Sequence, residues 1–179
     1  LEGWHVNMTK ENQALAVRAS HDDLTGLGNR ALFERTLEAT VSEAVRTGAS
    51  CAVLYLDANR FKEINDTHGH AAGDVILRTI GQRLRACIRQ IDHAFRLGGD
   101  EFAIILAPSV GREDAERIVS RIAQAMEEPV TLPDGTPLVA SLSIGFAIYP
   151  DDGMAASDLL SRADAAMYHD KRRRRRTDA

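Results

Sequence analysis

The chain has no apolar run approaching the ~18–20 residues that span a bilayer. It also lacks a signal-peptide pattern. It opens Leu1-Glu2-Gly3-Trp4, without an initiator Met or a basic segment, and so reads as an excised fragment whose upstream region is missing. Cysteine is scarce: Cys51 and Cys87 are the whole complement, which excludes a disulfide scaffold. Neither has a second Cys or a His at ligand spacing, so a thiolate metal site is not expected, and both read as buried thiols of a reducing compartment. Positive charge is scarce outside one run. Lys171 and Arg172 to Arg176 supply six cations, and without them 16 Lys and Arg face 26 Asp and Glu, a balance of −10. An acidic body is a poor general nucleic-acid binder, and no nucleic-acid partner is expected. It suits a site that gathers carboxylates around a metal.

What the chain does have is an ordinary globular balance, 44% apolar and 27% charged, over 179 residues. That is enough for one domain with a full core. Residues 1–20 are polar, with Leu1, Trp4, Met8 and Leu15 at steps compatible with a short coiled-coil seam or a solvated connector helix. His21 to Arg30 is turn-rich. Phe33, Leu37, Val41 and Val45 recur at steps of four and predict a helix closing near Gly48. Ala52 to Leu56 is a nearly continuous apolar run, read as a buried central strand ending at Asp57. Ile76, Ile80, Leu84 and Ile88 mark a long amphipathic helix. His93–Leu97 and Phe102–Leu106 flank Gly98-Gly99 and predict a hairpin, because Gly accepts the positive φ of a tight turn. Further helices are expected around Ala115–Met126 and Leu159–Met167, with a turn at Pro133-Asp134-Gly135 and a strand over Val139–Tyr149. The order is helix, strand, helix, hairpin, helix, strand, helix. It predicts an α/β or α+β domain with one helix-covered sheet, strand order open.

The chemistry concentrates at strand ends. Asp57 follows the buried strand, and Asp100 and Glu101 open the second hairpin strand just past the Gly pair. Mg²⁺ takes oxygen ligands, commonly one or two carboxylates plus substrate phosphates. Taken singly, each of these acids reads as a solvated turn residue. Alternation along a strand also sends Asp100 and Glu101 to opposite faces, so the pattern does not bring both to one ion.

Leu97-Gly98-Gly99-Asp100-Glu101-Phe102 resembles the signature of the GGDEF domains, the bacterial diguanylate cyclases. Four other segments match in order: Asp22 to Arg30 (similar to D-x-LTGL-x-NR), Asp57 to Asp74, Ser143-Ile144-Gly145, and Ala163-Asp164 to Lys171. The resemblance spans roughly residues 20–175. It implies an α+β fold like the nucleotide-cyclase and polymerase palm, a mostly antiparallel central sheet flanked by helices. It also implies that two GTP become cyclic di-GMP and pyrophosphate across a homodimer. Asp57, Asp100 and the carbonyl of Ala58 would ligate Mg²⁺ or Mn²⁺. Glu101 would serve either as a further ligand or in activating the 3′-hydroxyl. Asn65 and Asp74 would take the guanine edge. The amides of Asn59 to Lys62, including Phe61, would hold phosphates together with the side chains of Lys62, Lys171 and Arg175. Gly98 and Gly99 would admit the nucleotide close to the hairpin. A degenerate module that binds GTP or cyclic di-GMP without turnover is the alternative.

Arg89-Gln90-Ile91-Asp92 resembles the family's R-x-x-D inhibitory site, which implies cyclic di-GMP at Arg89 and Asp92. The C-terminal segment departs from the family pattern of x-x-Gly-Arg-Asn after the lysine. Arg174 stands in place of the Gly and Arg176 in place of the Asn, while Arg175 keeps register. The expected organisation is a connector helix at 1–20, the catalytic domain at 21–170 and a basic tail at 171–179. The whole is expected to be a cytoplasmic domain of a membrane-anchored sensor, mostly monomeric when isolated because dimerisation then bears the full cost of association.

Overall fold

The structure is a computed structural model that describes residues 2–177, with side chains from Lys10 onward. Helix α1 (Glu2–Ser20) leads in. The seam position Leu1 and the side chains of Trp4 and Met8 lie outside the described set, and Leu15 is exposed. Helix α2 (Arg30–Thr47) starts where the Asn29 side chain accepts the Leu32 N–H at 3.0 Å. It stops at Gly48, whose N–H donates to the Ala44 carbonyl.

Strand β1 (Cys51–Ala58) is buried at all eight positions. After it come the short helix α3 (Phe61–His68) and the long helix α4 (His70–Cys87). Strands β2 (His93–Gly98) and β3 (Glu101–Leu106) form the hairpin, followed by helix α5 (Arg112–Met126). A minimal hairpin, β4 (Val130–Thr131) and β5 (Pro137–Leu138), closes around the Pro133-Asp134-Gly135 turn. Strand β6 (Leu142–Tyr149) and helix α6 (Ala156–Thr177) complete the chain.

The main sheet has the order β2-β3-β1-β6, antiparallel throughout. Alternation along β1 explains why its apolar run is continuous. Ala52, Leu54 and Leu56 face one core with Ile76, Ile80 and Leu84 of α4 and Ile122 of α5. Val53 and Tyr55 face a second core with Phe33 and Leu37 of α2 and Leu159 and Met167 of α6. A strand buried on both faces is apolar along its length, with Asp57 near its end the exception. Each of these large side chains contributes about 1.5–3 kcal/mol when removed from water, so helices on both faces hold β1 rigid to its end.

Four local features differ from the sequence expectation. Helix α3 occupies a stretch for which the sequence predicted no element. The β4–β5 hairpin adds two strands of two residues each. Strand β6 begins at Leu142 rather than Val139. Strand β3 begins at Glu101, which leaves Asp100 in the turn. The basic run from Lys171 continues α6 as its last turns as far as Thr177.

Candidate active site

The site forms where β1 ends beside the β2–β3 turn. The Ala58 N–H donates to the Asp100 carbonyl at 3.0 Å, and Asp57 stands opposite Glu101 in the ladder. Gly98 and Gly99 take φ of 136° and 52°, conformations that a side chain would strain. The turn is latched from outside. Arg96 donates to the Gly99 carbonyl at 3.0 and 2.9 Å and to Asp22 at 3.0 Å. Arg30 donates to the Leu97 carbonyl at 3.2 Å and to Glu101 at 3.3 Å. Asp22 and Arg30, at the two ends of the turn-rich segment, therefore fix the hairpin. Sequence reasoning gave them no role, since the contacts cross more than 65 residues of chain.

The three acids are not equivalent. Asp57 is buried; its Oδ2 accepts from the Lys171 ammonium, and its Oδ1 is buried without a hydrogen-bond partner among the described residues. Asp100 is pushed up to about 6, by burial first and by the neighbouring Asp57 carboxylate second, against the opposing charge of Lys171. Glu101 is turned to the α2 side, where it accepts from the Tyr55 hydroxyl at 3.0 Å and from Arg30. Burial, then the hydrogen bond to Glu101, pushes Tyr55 up to about 12, so it stays a donor. Asp57 and Asp100 are thus the pair that shares a point in space. Among the described residues no group of three His, Cys, Asp or Glu forms a metal cage. Two carboxylates, one of them with an orphaned oxygen, are a donor set that Mg²⁺ takes when substrate phosphates complete its shell.

Beside this pair opens a cleft of about 450 Å³, lined by Ala58 to Glu63, Asp100, Lys171, Arg174 and Arg175. Five of those side chains are cationic: Arg60, Lys62, Lys171, Arg174 and Arg175. Arg60 adopts a left-handed φ of 55°, uncommon for a non-glycine residue and characteristic of functional loops. Asn59 is pinned on both sides, donating to Ser141 Oγ at 2.9 Å and accepting from Ser143 Oγ at 2.7 Å.

Asn65 and Asp74 stand outside this lining, on α3 and the first turns of α4. Asn65 Oδ1 is buried without a partner among the described residues, and a methyl built on Gly73 would lie 1.9 Å from it. Only glycine lets Asn65 settle against the turn that carries the exposed Asp74.

Arg89 and Asp92 are brought together. Arg89 donates to the buried Asp92 carboxylate through Nε and Nη2, both at 2.9 Å, and through its backbone N–H at 3.0 Å.

Asp170 is a residue the sequence reading missed. It is buried and accepts from the Ile144 N–H at 3.0 Å, Arg173 at 2.9 Å and Arg174 at 3.0 Å. Burial opposes its ionisation, but these three donors outweigh burial and hold the carboxyl below its ordinary value. A signal was present: Ala163, Met167 and Asp170 follow steps of four and three, which puts an acid on the buried face of the helix.

A family model described as diguanylate cyclase, GGDEF domain, matches residues 19–177. Diguanylate cyclase TpbB of Pseudomonas aeruginosa (strain UCBPP-PA14) is 46% identical over 175 residues, covering 98% of this chain and 40% of that protein. The chain therefore spans about two fifths of the length of this curated relative. A solved structure comprising only the GGDEF domain of TpbB, also called YfiN, aligns with a TM-score of 0.83 at 47% identity. That alignment covers 86% of this chain and 89% of the other. The coiled coil and GGDEF domain of DgcB from Caulobacter crescentus, solved in complex with c-di-GMP, aligns with a TM-score of 0.89 at 26% identity, covering 96% and 90%. No helix among the described residues is long and apolar enough to cross a membrane. By its family match, its fold and its hairpin, the chain belongs to the GGDEF family of diguanylate cyclase domains.

Proposed function

We propose that this domain condenses two GTP into one cyclic di-GMP and two pyrophosphates. The observation that carries the reading is the Asp57–Asp100 pair beside a cationic cleft: Asp100 lines the cleft, and Asp57 accepts from Lys171 of the same lining. Asp57 and Asp100, with the Ala58 carbonyl, would hold Mg²⁺ or Mn²⁺. The ion would neutralise the triphosphate and polarise its α-phosphate. The chain's own groups bind and orient. Lys62, Lys171 and the arginines at the end of α6 take the phosphates. The amides of Arg60 to Lys62 lie at the start of α3, where N–H groups suit an anion; the Asn59 N–H, expected to join them, is instead donated to the Ser141 carbonyl at 2.9 Å.

Asn65 offers a donor and an acceptor to guanine, and the Asp74 carboxylate accepts from guanine N1–H and N2–H; together they prefer guanine to adenine. The hairpin latch of Asp22, Arg96 and Arg30 keeps the Asp100 turn at one distance from Asp57. Glu101 stands beside the pair as a further acid, held by Tyr55 and Arg30.

One domain presents one nucleotide. The 3′-oxygen of each GTP bonds to the partner's α-phosphorus, the bond from that phosphorus to pyrophosphate breaks, and the hydroxyl proton leaves. Turnover therefore needs a C₂ pair of domains, which form a transient encounter when the isolated domain is mostly monomeric. Product binding at Arg89 and Asp92 is a second part of the proposal. The guanidinium takes a phosphate or a guanine edge, and the buried Asp92 fixes its direction.

Incubation with GTP and Mg²⁺ tests the reading. Cyclic di-GMP is expected, and Asp100→Ala should abolish it. Product absent even from a forced dimer would leave a module that binds nucleotide without turnover.

A further inference from the structure

We propose that Asp170 is a positioning residue that presents Arg174 to the triphosphate, making Arg174 the chief phosphate-binding arginine beside Lys171. The inference rests on the cyclase reading of the cleft. Position 174 is four residues from Asp170 and three from Lys171, so one helical face carries all three. Arg175, four residues from Lys171, shares the lysine's face, but at five residues from Asp170 it is turned away from that carboxylate.

The structure divides the two arginines accordingly. Both line the cleft. Arg174 is held, its Nε donating to Asp170 Oδ2 at 3.0 Å. The Arg175 side chain makes no hydrogen bond or ion pair among the described residues. An arginine already fixed in a fork geometry loses little further freedom when an anion arrives, whereas a free one must be ordered at that moment. The bond through Nε leaves both terminal nitrogens of Arg174 for phosphate oxygens, the bidentate mode of this side chain.

Asp170 is itself fixed. It is buried and accepts the Ile144 N–H of β6, so the arginine is referenced to the main sheet rather than to a fraying helix end. Its negative charge does not repel the nucleotide, because Arg173 and Arg174 both pair with it and leave the cluster with a net positive charge.

The test uses the whole chain, with calorimetry of 3′-deoxy-GTP, which lacks the attacking hydroxyl, and Mg²⁺. Arg174→Ala should weaken binding about tenfold, as expected for a lost charge-assisted hydrogen bond, and more than Arg175→Ala does. Arg174→Lys should recover only part of the loss. Asp170→Asn keeps an acceptor for Ile144 but loses the charge. It should weaken binding in the wild type and have no effect in the Arg174→Ala background. In turnover, these variants should raise KM and leave kcat nearly unchanged.

A larger loss in Arg175→Ala than in Arg174→Ala, or an Asp170→Asn effect that persists without Arg174, would overturn the assignment. If Asp170→Asn fails to fold, the Arg174 and Arg175 variants decide alone. Wild type that binds 3′-deoxy-GTP, weakened by Asn65→Ala and unchanged by Arg174→Ala, sinks this inference and spares the cyclase reading. Wild type that binds none sinks both.

Discussion

Asp57 pairs with Glu101 in the β1–β3 ladder, yet it is Asp100, one residue earlier and outside the strand, whose carboxyl is coupled to it. Adjacent acids with different partners have different chemistry. Glu101 is engaged with Tyr55 and Arg30, while Asp100 is partly buried beside a like charge.

The coupling sets a pH dependence. Asp100 has a folded-state value of about 6 against an ordinary 3.8, so folding favours its protonated form. That contribution to stability is complete below about pH 4 and is lost as pH rises through 6. Asp100→Asn should therefore stabilise the metal-free protein at pH 8 by about 1 kcal/mol, a figure reduced for solvent screening at a partly exposed carboxyl, and leave pH 4 unchanged. Urea melts at the two values check this. Mn²⁺ must displace the proton below pH 6, so its affinity should fall about tenfold per unit there.

Gly73→Ala separates folding from recognition. Alanine favours a helix over glycine by about 0.5–1 kcal/mol, and the Asn65 side chain can swing aside, so thermal stability should hold or rise slightly. Recognition should suffer, because the new methyl takes the place of Asn65 Oδ1. GTP affinity should drop about tenfold or more in calorimetry, with guanosine losing the same factor.

The hairpin latch predicts coupling. Arg96→Ala removes the Asp22 ion pair and both bonds to the Gly99 carbonyl. It should destabilise the fold by about 1–3 kcal/mol and lower turnover more than tenfold, because the turn carrying Asp100 loosens. Asp22→Asn should add little in that background, which a double-mutant cycle measures.

The Arg89–Asp92 pair predicts a ligand. Cyclic di-GMP should bind the wild type in calorimetry, and Arg89→Ala should weaken it about tenfold or more. Absent binding, or binding indifferent to Arg89, would remove the site. The variant should also cost about 1–2 kcal/mol of stability, since Asp92 is buried and keeps only backbone donors.

Legibility followed the range of the physics involved. The β1 run, the Gly98-Gly99 hairpin and the helices with steps of four were readable because burial on both faces, positive φ and helical period each leave a local mark. Helix α3 left none: it has one buried residue, Ile64, and its N-cap is Arg60 in a left-handed conformation, with no side-chain cap. Asp57 could be placed at a strand end, because strand ends are where rigid side chains meet solvent. That Asp100 joins it from the turn, and that Glu101 is taken by Tyr55 and Arg30, depends on tertiary contacts that strand alternation does not encode. Asp170 was hidden by its neighbours, since an acid before a run of arginines reads as surface charge unless its helical face is traced back to Met167 and Ala163.

The central claim is turnover by paired domains. Cyclic di-GMP formed from GTP and Mg²⁺ should be followed against protein concentration. The account predicts product at an initial rate rising more steeply than linearly while the chain is mostly monomeric, and none from Asp100→Ala. GTP left unconverted at every concentration, even with two domains held together, would contradict it.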